Sequence, residues 1–285
     1  MYEKFEKFAS IGSGLLNPNI NYNSDCPFQC GLCISHKTTT ILANIDVTNR
    51  CNMSCPVCFA NARKSGRIYE PSKEQIYKML MMLRNQRPVP CCSLQFSGGE
   101  PTVREDLPEL VEIARNLGFV QIQIASNGIK FAQSIAYGKR LVEAGIQTLY
   151  LQFDGMSAEP YIKLRGFNAF PLKLKAIDNA RKAGLRSITL VPTLSRGIND
   201  RQVGDIIRFA ADNRDVVKGV NFQPVSFTGR ICQEEREENR ITIPDLAKLV
   251  EEQTEGTIPM DAWYPVPFVV PISRFLSKAR HKALP

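Results

Sequence analysis

Histidine is nearly missing from this chain: 285 residues include only His36 and His281. That argues against a histidine-rich metal site, and any Cys–His or Ser–His–Asp mechanism would have to use one of these two. No apolar run approaches the roughly 20 residues needed to cross a bilayer. Met1 to Ser10 alternates charge with aromatics and has no apolar signal core, so a cytoplasmic protein is expected. Internal repeats and low-complexity tracts are absent too, and hydrophobic residues at 44% with charged ones at 22% are ordinary globular values, which sets aside disorder and collagen-like repetition. The net charge of +8 favours anionic partners, but the basic residues are scattered, so nucleic acid is not expected.

What is present is cysteine. Nine cysteines in a chain without an export signal point to metal or redox chemistry rather than disulfides. Six fall in two clusters of the same spacing: Cys26, Cys30 and Cys33, then Cys51, Cys55 and Cys58. Cys91 and Cys92 read as packing residues and Cys232 as an incidental thiol.

From Leu42 onward strand and helix patterns alternate. Strands are expected over Leu42–Thr48, Cys91–Ser97, Val120–Ser126, Gln147–Asp154, Ser187–Thr193 and Val217–Gln223. Helices are expected over Ser72–Asn85, Arg104–Leu117, Lys130–Ala144, Phe170–Ala183 and Asp200–Asn213. Six strands joined by crossovers imply a parallel α/β sheet. Parallel strands covered on both faces usually read as continuous apolar runs. These instead put polar residues on one face (Asn44, Asp46, Ser93, Gln95, Gln123, Gln152, Asp154, Thr189 and Gln223) and apolar ones on the other. Buried polar groups need partners. A six-stranded, open partial (β/α)6 barrel of TIM-like form, with a wet cavity down its middle, satisfies that. Pairing within a tight core would explain one such strand but not six.

Cys51, Cys55 and Cys58 follow the first strand in the run Cys-Asn-Met-Ser-Cys-Pro-Val-Cys. Three thiolates on one loop suit a 4Fe–4S cluster with one iron left open to an exogenous ligand. A structural zinc site would need a fourth ligand, and three structural thiols fit poorly at polar loop positions. The C-x₃-C-x₂-C run, followed by Gly98-Gly99-Glu100-Pro101 after the second strand, resembles the radical S-adenosylmethionine (SAM) superfamily. The stretch Asp25-Cys-Pro-Phe-Gln-Cys-Gly-Leu-Cys, with Gln152-Phe-Asp-Gly155, Leu164-Arg-Gly166, Val191-Pro-Thr193 and Gln223-Pro-Val-Ser226, resembles its class D methyltransferase and tetraether lipid synthase subgroup. One departure is Val57, where the superfamily usually has an aromatic before the last cysteine.

The resemblance implies an enzyme in which Cys51, Cys55 and Cys58 hold the cluster and SAM is cleaved reductively to a 5′-deoxyadenosyl radical. That radical would abstract hydrogen from an unactivated carbon, for methylation or C–C coupling of a pterin or an isoprenoid phospholipid chain. It also implies a low-potential electron donor such as ferredoxin or flavodoxin. Gly98, Gly99, Glu100 and Pro101 match the SAM-amine motif, and Glu100 either accepts from the SAM ammonium or holds the loop. Ser126, Asn127, Gln152, Asp154, Thr193, Ser195 and Gln223, at strand ends, are candidates for SAM or substrate contacts. Arg165 is expected in a loop, pairing with a carboxylate or phosphate or forming a surface salt bridge. Cys26, Cys30 and Cys33 are expected to bind an auxiliary Fe–S cluster, mononuclear iron or zinc. The subgroup's fourth cysteine falls at Ile41 here, so His36 is the candidate fourth ligand. A maturase or dehydrogenase is the rival enzyme, and a non-catalytic electron carrier or zinc-stabilised binding module the rival of another class.

Three regions follow: an N-terminal arm with the auxiliary site (1–41), the barrel (42–230) and a C-terminal cap (231–285). In the cap an acidic run at Glu234–Asn239 and a helix over Ile243–Glu252 are expected. The basic, apolar end from Pro271 is a candidate for peripheral contact with an anionic membrane.

Overall fold

Six parallel strands form one sheet in the order β1 (Leu42–Thr48), β2 (Ser93–Gly98), β3 (Gln121–Ser126), β4 (Thr148–Gln152), β5 (Ile188–Val191) and β7 (Val217–Val220). A computed structural model describes residues 40–62, 66–86, 89–225, 233–264 and 270–281. Cys26, Cys30, Cys33, His36 and Cys232 lie outside these. The helices between strands are α1 (Lys73–Arg84), α2 (Leu107–Asn116), α3 (Ile129–Gln133), α4 (Ile135–Ala144), α5 (Ala158–Arg165), α6 (Phe170–Lys182) and α7 (Val203–Asp212). This is a partial, TIM-like α/β barrel.

The alternation of the strands decides which face the helices cover. Ile45, Val47, Leu94, Phe96, Ile122, Ile124, Leu151, Ile188 and Leu190 are buried in one core beneath the helices. The opposite parity faces inward: Asn44 is in register with Gln95, and Gln95 with Gln123, whose amide donates to the Gln95 carbonyl at 2.6 Å. A one-residue slip would have reversed both faces.

Two expected strands are broken. Pro192 has no N–H for the ladder, so the fifth strand resumes as a short β6 (Thr193–Leu194), paired with β8 (Gln223–Pro224). The expected helix Lys130–Ala144 is also two helices. Ser134 is extended, at φ −148°, and its hydroxyl accepts from Tyr137 N to cap α4. Asn179 donates to the carbonyls of Phe131 and Ala132, both at 2.9 Å, which the break leaves without helical partners. The helix expected from Arg104 begins at Leu107. Arg104 instead clamps the carbonyls of Val47 and Pro71 while pairing with Asp106.

Beyond the barrel, α8 (Gln233–Glu238) carries the acidic run, and α9 (Ile243–Gln253) opens on a capping box from Thr242 to Asp245. Leu246 and Val250 of α9 bury against Leu194 and Val203 of the barrel. Helix α10 (Val270–Arg280) exposes Ile272, Phe275 and Leu276. Among the described residues no helix is long and apolar enough to cross a membrane.

Candidate active site

Two loops meet at the C-terminal end of the sheet. The first leaves β1 at Thr48 and carries Cys51, Cys55 and Cys58. It is fastened to the following segment by Asn49, which exchanges hydrogen bonds with Arg67 O and Tyr69 N, and by Arg50, paired with Glu70 at 2.7 Å. The second is Gly98-Gly99-Glu100. Gly99 N donates to Thr48 O and Glu100 N to Arg50 O, both at 2.8 Å. A Cβ on Gly98 would collide with Thr48 O, and one on Gly99 with Arg50 O. Gly98 also holds φ +132°, which side chains rarely adopt. The two glycines are therefore what lets the second loop lie against the first.

Glu100 is buried, and both its oxygens are occupied. Oε1 accepts from Thr102 N, the Thr102 hydroxyl and the Ser126 hydroxyl, and Oε2 accepts from Asn127 N at 2.7 Å. Of the two roles expected for Glu100, these bonds perform the second, holding the loop to the end of β3. Asn127 extends the tie, donating to Asn52 of the cysteine loop at 2.7 Å. Pro101 starts the single turn that follows and is buried.

The third element is an ion pair. Arg165 ends α5 rather than lying in a loop, and it pairs through Nε and Nη2 with Asp154, both at 2.7 Å. The surface salt bridge is thereby corrected: the side chains are 9% and 0% exposed. Asp154 also accepts from Thr193 N and from the Gln152 amide, so it is enclosed by the protein and does not border the cavity. Arg165 donates to the Thr193 hydroxyl and reaches Cys55. Burial lowers its pKa, but the Asp154 charge and hydrogen bonds more than offset this and hold it above the ordinary value.

Lys173 was not singled out by the sequence reading. It is fully buried on α6 and donates to Asn127 O and Gln152 Oε1. Burial pulls its pKa down to about 8, against the opposing charge of Asp154. The signal was available: Lys173 shares a helical stripe with Ala176, Ile177 and Ala180, all buried. Tyr150 was missed as well, although it has the same strand parity as Gln152.

These parts enclose a cavity of about 570 Å³, within the usual range for a small-molecule site. Cys51, Cys55, Cys58, Gly98, Gly99, Glu100, Ser126, Asn127, Gln152, Arg165, Thr193 and Gln223 all border it, as do Asn44, Asp46, Gln95 and Tyr150. Ser195 stands apart: it is buried at 1% exposure behind the wall, where its backbone N–H donates to Asn199.

The three thiols form no disulfide, are half-buried, and border the cavity. Burial pushes the Cys51 thiol up to about 11; the Met53 N–H opposes this, and the charges of Glu100, Cys55 and Cys58 add to it. Among the described residues no three His, Cys, Asp or Glu side chains are close enough to hold a single metal ion. Three cysteines of one loop that border one cavity fit a cluster whose thiolates each take a different iron.

Residues 45–210 match the model of the radical SAM superfamily, and the chain belongs to that superfamily. Over its full 285 residues it is 56% identical to a 7,8-dihydro-6-hydroxymethylpterin dimethyltransferase of Methanocaldococcus jannaschii, of which it spans 56%. It is 26% identical over 203 residues to a GTP 3′,8-cyclase of Clostridium acetobutylicum, covering 71% of this chain and 61% of that protein. Among solved structures, SuiB of Streptococcus suis bound to SAM superposes with a TM-score of 0.58 at 19% identity, over 76% of this chain and 47% of that one, which is a likeness of fold.

Proposed function

We propose that this chain is a radical SAM methyltransferase that acts on a pterin-type small molecule in the cytoplasm and draws electrons from a low-potential ferredoxin or flavodoxin. The observation that carries the reading is the shared mouth, where cysteine loop, glycine loop and polar barrel wall border one cavity. The pterin is supported by 56% identity to the M. jannaschii dimethyltransferase. Cys51, Cys55 and Cys58 would hold a 4Fe–4S cluster, which supplies one electron for cleavage of the SAM sulfonium.

The chain's own residues prepare that chemistry. Glu100 spends its hydrogen bonds on keeping the glycine loop against the cysteine loop, so the backbone there is preorganised. Arg165, its charge secured by Asp154, offers a fixed cation at the mouth for a carboxylate. Ser126, Asn127, Gln152, Thr193 and Gln223 would contact SAM or substrate from the strand ends. Asn44, Asp46, Gln95 and Tyr150 would line the substrate. A saturated lipid chain could not meet the hydrogen-bonding capacity that Asn44 and Asp46 keep toward the cavity, at a cost of roughly 1–3 kcal/mol for each group buried unsatisfied. The wall therefore favours the pterin over the phospholipid.

The test is anaerobic reconstitution with iron and sulfide, reduction, and incubation with SAM and 7,8-dihydro-6-hydroxymethylpterin. Formation of 5′-deoxyadenosine with a methylated pterin is expected, and neither product from the Cys51→Ala variant. If 5′-deoxyadenosine appears but the pterin stays unmethylated, the substrate assignment falls.

A further inference from the structure

One carboxylate in the cavity is left over. Glu100 is enclosed by Thr102, Ser126 and Asn127, and Asp154 by Arg165, Thr193 and Gln152. Asp46 is not enclosed. The only hydrogen-bond partner of its carboxylate among the described residues is the Ser97 hydroxyl, at 2.6 Å on Oδ1. It stands on β1 two residues before the cysteine loop begins, faces the cavity, and forms no ion pair among the described residues.

Its neighbours complete a pattern. Asn44, on the same face of β1, borders the cavity and has no side-chain hydrogen bond among the described residues. Gln95 is in register beside Asn44, and Ser97 beside Asp46. Along this edge the wall thus offers two carboxylate acceptors followed by an amide donor. Tyr150, also bordering the cavity, accepts from Asn221 and Gln223, and burial raises its pKa, so it is a neutral phenol.

The complementary ligand edge has two adjacent N–H donors followed by a carbonyl. A 2-amino-4-oxopyrimidine ring presents this: the 2-amino group and the ring N3–H side by side, with the 4-oxo group next to them. A carboxylate takes two parallel N–H donors as it takes a guanidinium, and an amide N–H suits the carbonyl. We propose that Asp46, with Asn44 beside it, is the specificity-determining acceptor for this edge of the substrate, an inference that rests on the pterin reading above. Guanine carries the same edge, so a guanine nucleotide is the second source of this chemistry.

The experiment measures equilibrium binding to the full chain, reconstituted anaerobically, using three probes. These are 7,8-dihydro-6-hydroxymethylpterin, its analogue with oxygen in place of the 2-amino group, and GTP. Wild type, Asp46→Asn and Asp46→Glu are compared, with iron content and visible absorption checked for each. Wild type is expected to prefer the amino compound over its oxo analogue. Asp46→Asn should weaken pterin binding by about 10- to 100-fold, the range for a lost charged hydrogen-bond pair, and should erase the preference, with iron content unchanged. Asp46→Glu should restore part of it. Pterin binding that Asp46→Asn leaves within about a factor of two would overturn the inference while the pterin reading stands. Asp46-dependent binding of GTP but not of the pterin would support the edge recognition and overturn the pterin as its source. No binding of either amino compound by wild type would overturn both.

Discussion

Lys173 and Gly99 show how single side chains shape this site in ways their residue types alone do not announce. Lys173 would ordinarily keep its ammonium in water, yet it ties Asn127 to Gln152 with no exposed surface. Its pKa of about 8, below the ordinary 10.5, has a definite consequence for stability. Between those pH values the unfolded lysine binds a proton that the folded one does not, so the unfolding free energy rises with pH across the window. Urea melts of wild type and Lys173→Met on both sides of it should show wild type gaining on the variant as pH rises. A constant difference would refute the shift. Gly99 matters through what it lacks. Gly99→Ala must push the glycine loop off Arg50 O and should destabilise by about 1–3 kcal/mol, as overpacking does. It should weaken SAM binding as well, measured by dialysis against labelled SAM; unchanged stability would mean the loop has slack.

At the scale of elements, the loops depend on how strands and helices end. Arg104 ties β1 to Pro71, and Glu100 ties the end of β2 to that of β3. The α3–α4 break is sustained from another helix, by Asn179 of α6. Asn179→Ala would leave two carbonyls without that donor. It should cost about 2 kcal/mol or more, above the roughly 1 kcal/mol expected when the Ser134 cap is removed. Denaturant midpoints of the two variants compare these directly, and the reverse order would place the control of the break in the cap. Ser134 is of a residue type that caps helices and stands inside the expected helix, whereas Asn179, some 45 residues later, carries no local sign of the carbonyls it serves.

At the scale of the whole molecule, the barrel shares its core with the C-terminal segment through Leu246 and Val250. The auxiliary site remains a proposal on Cys26, Cys30 and Cys33. Replacing all three with Ala should lower the iron or zinc bound per chain while SAM cleavage persists at the Cys51 loop. Metal analysis and a 5′-deoxyadenosine assay on one preparation check both halves. Unchanged metal content would remove the auxiliary site, and lost cleavage would make it part of the first.

The sequence by itself determined the six strands and their parallel sense, the covered and inward faces, and the loops that meet at the mouth. These follow from periodicity and from spacing along one segment: Asn44 and Asp46 lie on one face because side chains alternate, and Cys51, Cys55 and Cys58 share one loop. The tertiary structure decided the use of each polar group. Asp154 has the same parity as Gln152, yet it is withdrawn from the cavity because Arg165, eleven residues later on an unexpected helix, reaches it. Ser195 follows Thr193 by the same period but turns behind the wall once Pro192 has interrupted the strand. Glu100 has its acceptors filled by Thr102 and by Ser126 and Asn127 at the end of β3, and Lys173 is buried by two strand ends that meet only after folding. Such partners are set by which segments pack together, and a local pattern holds no record of them.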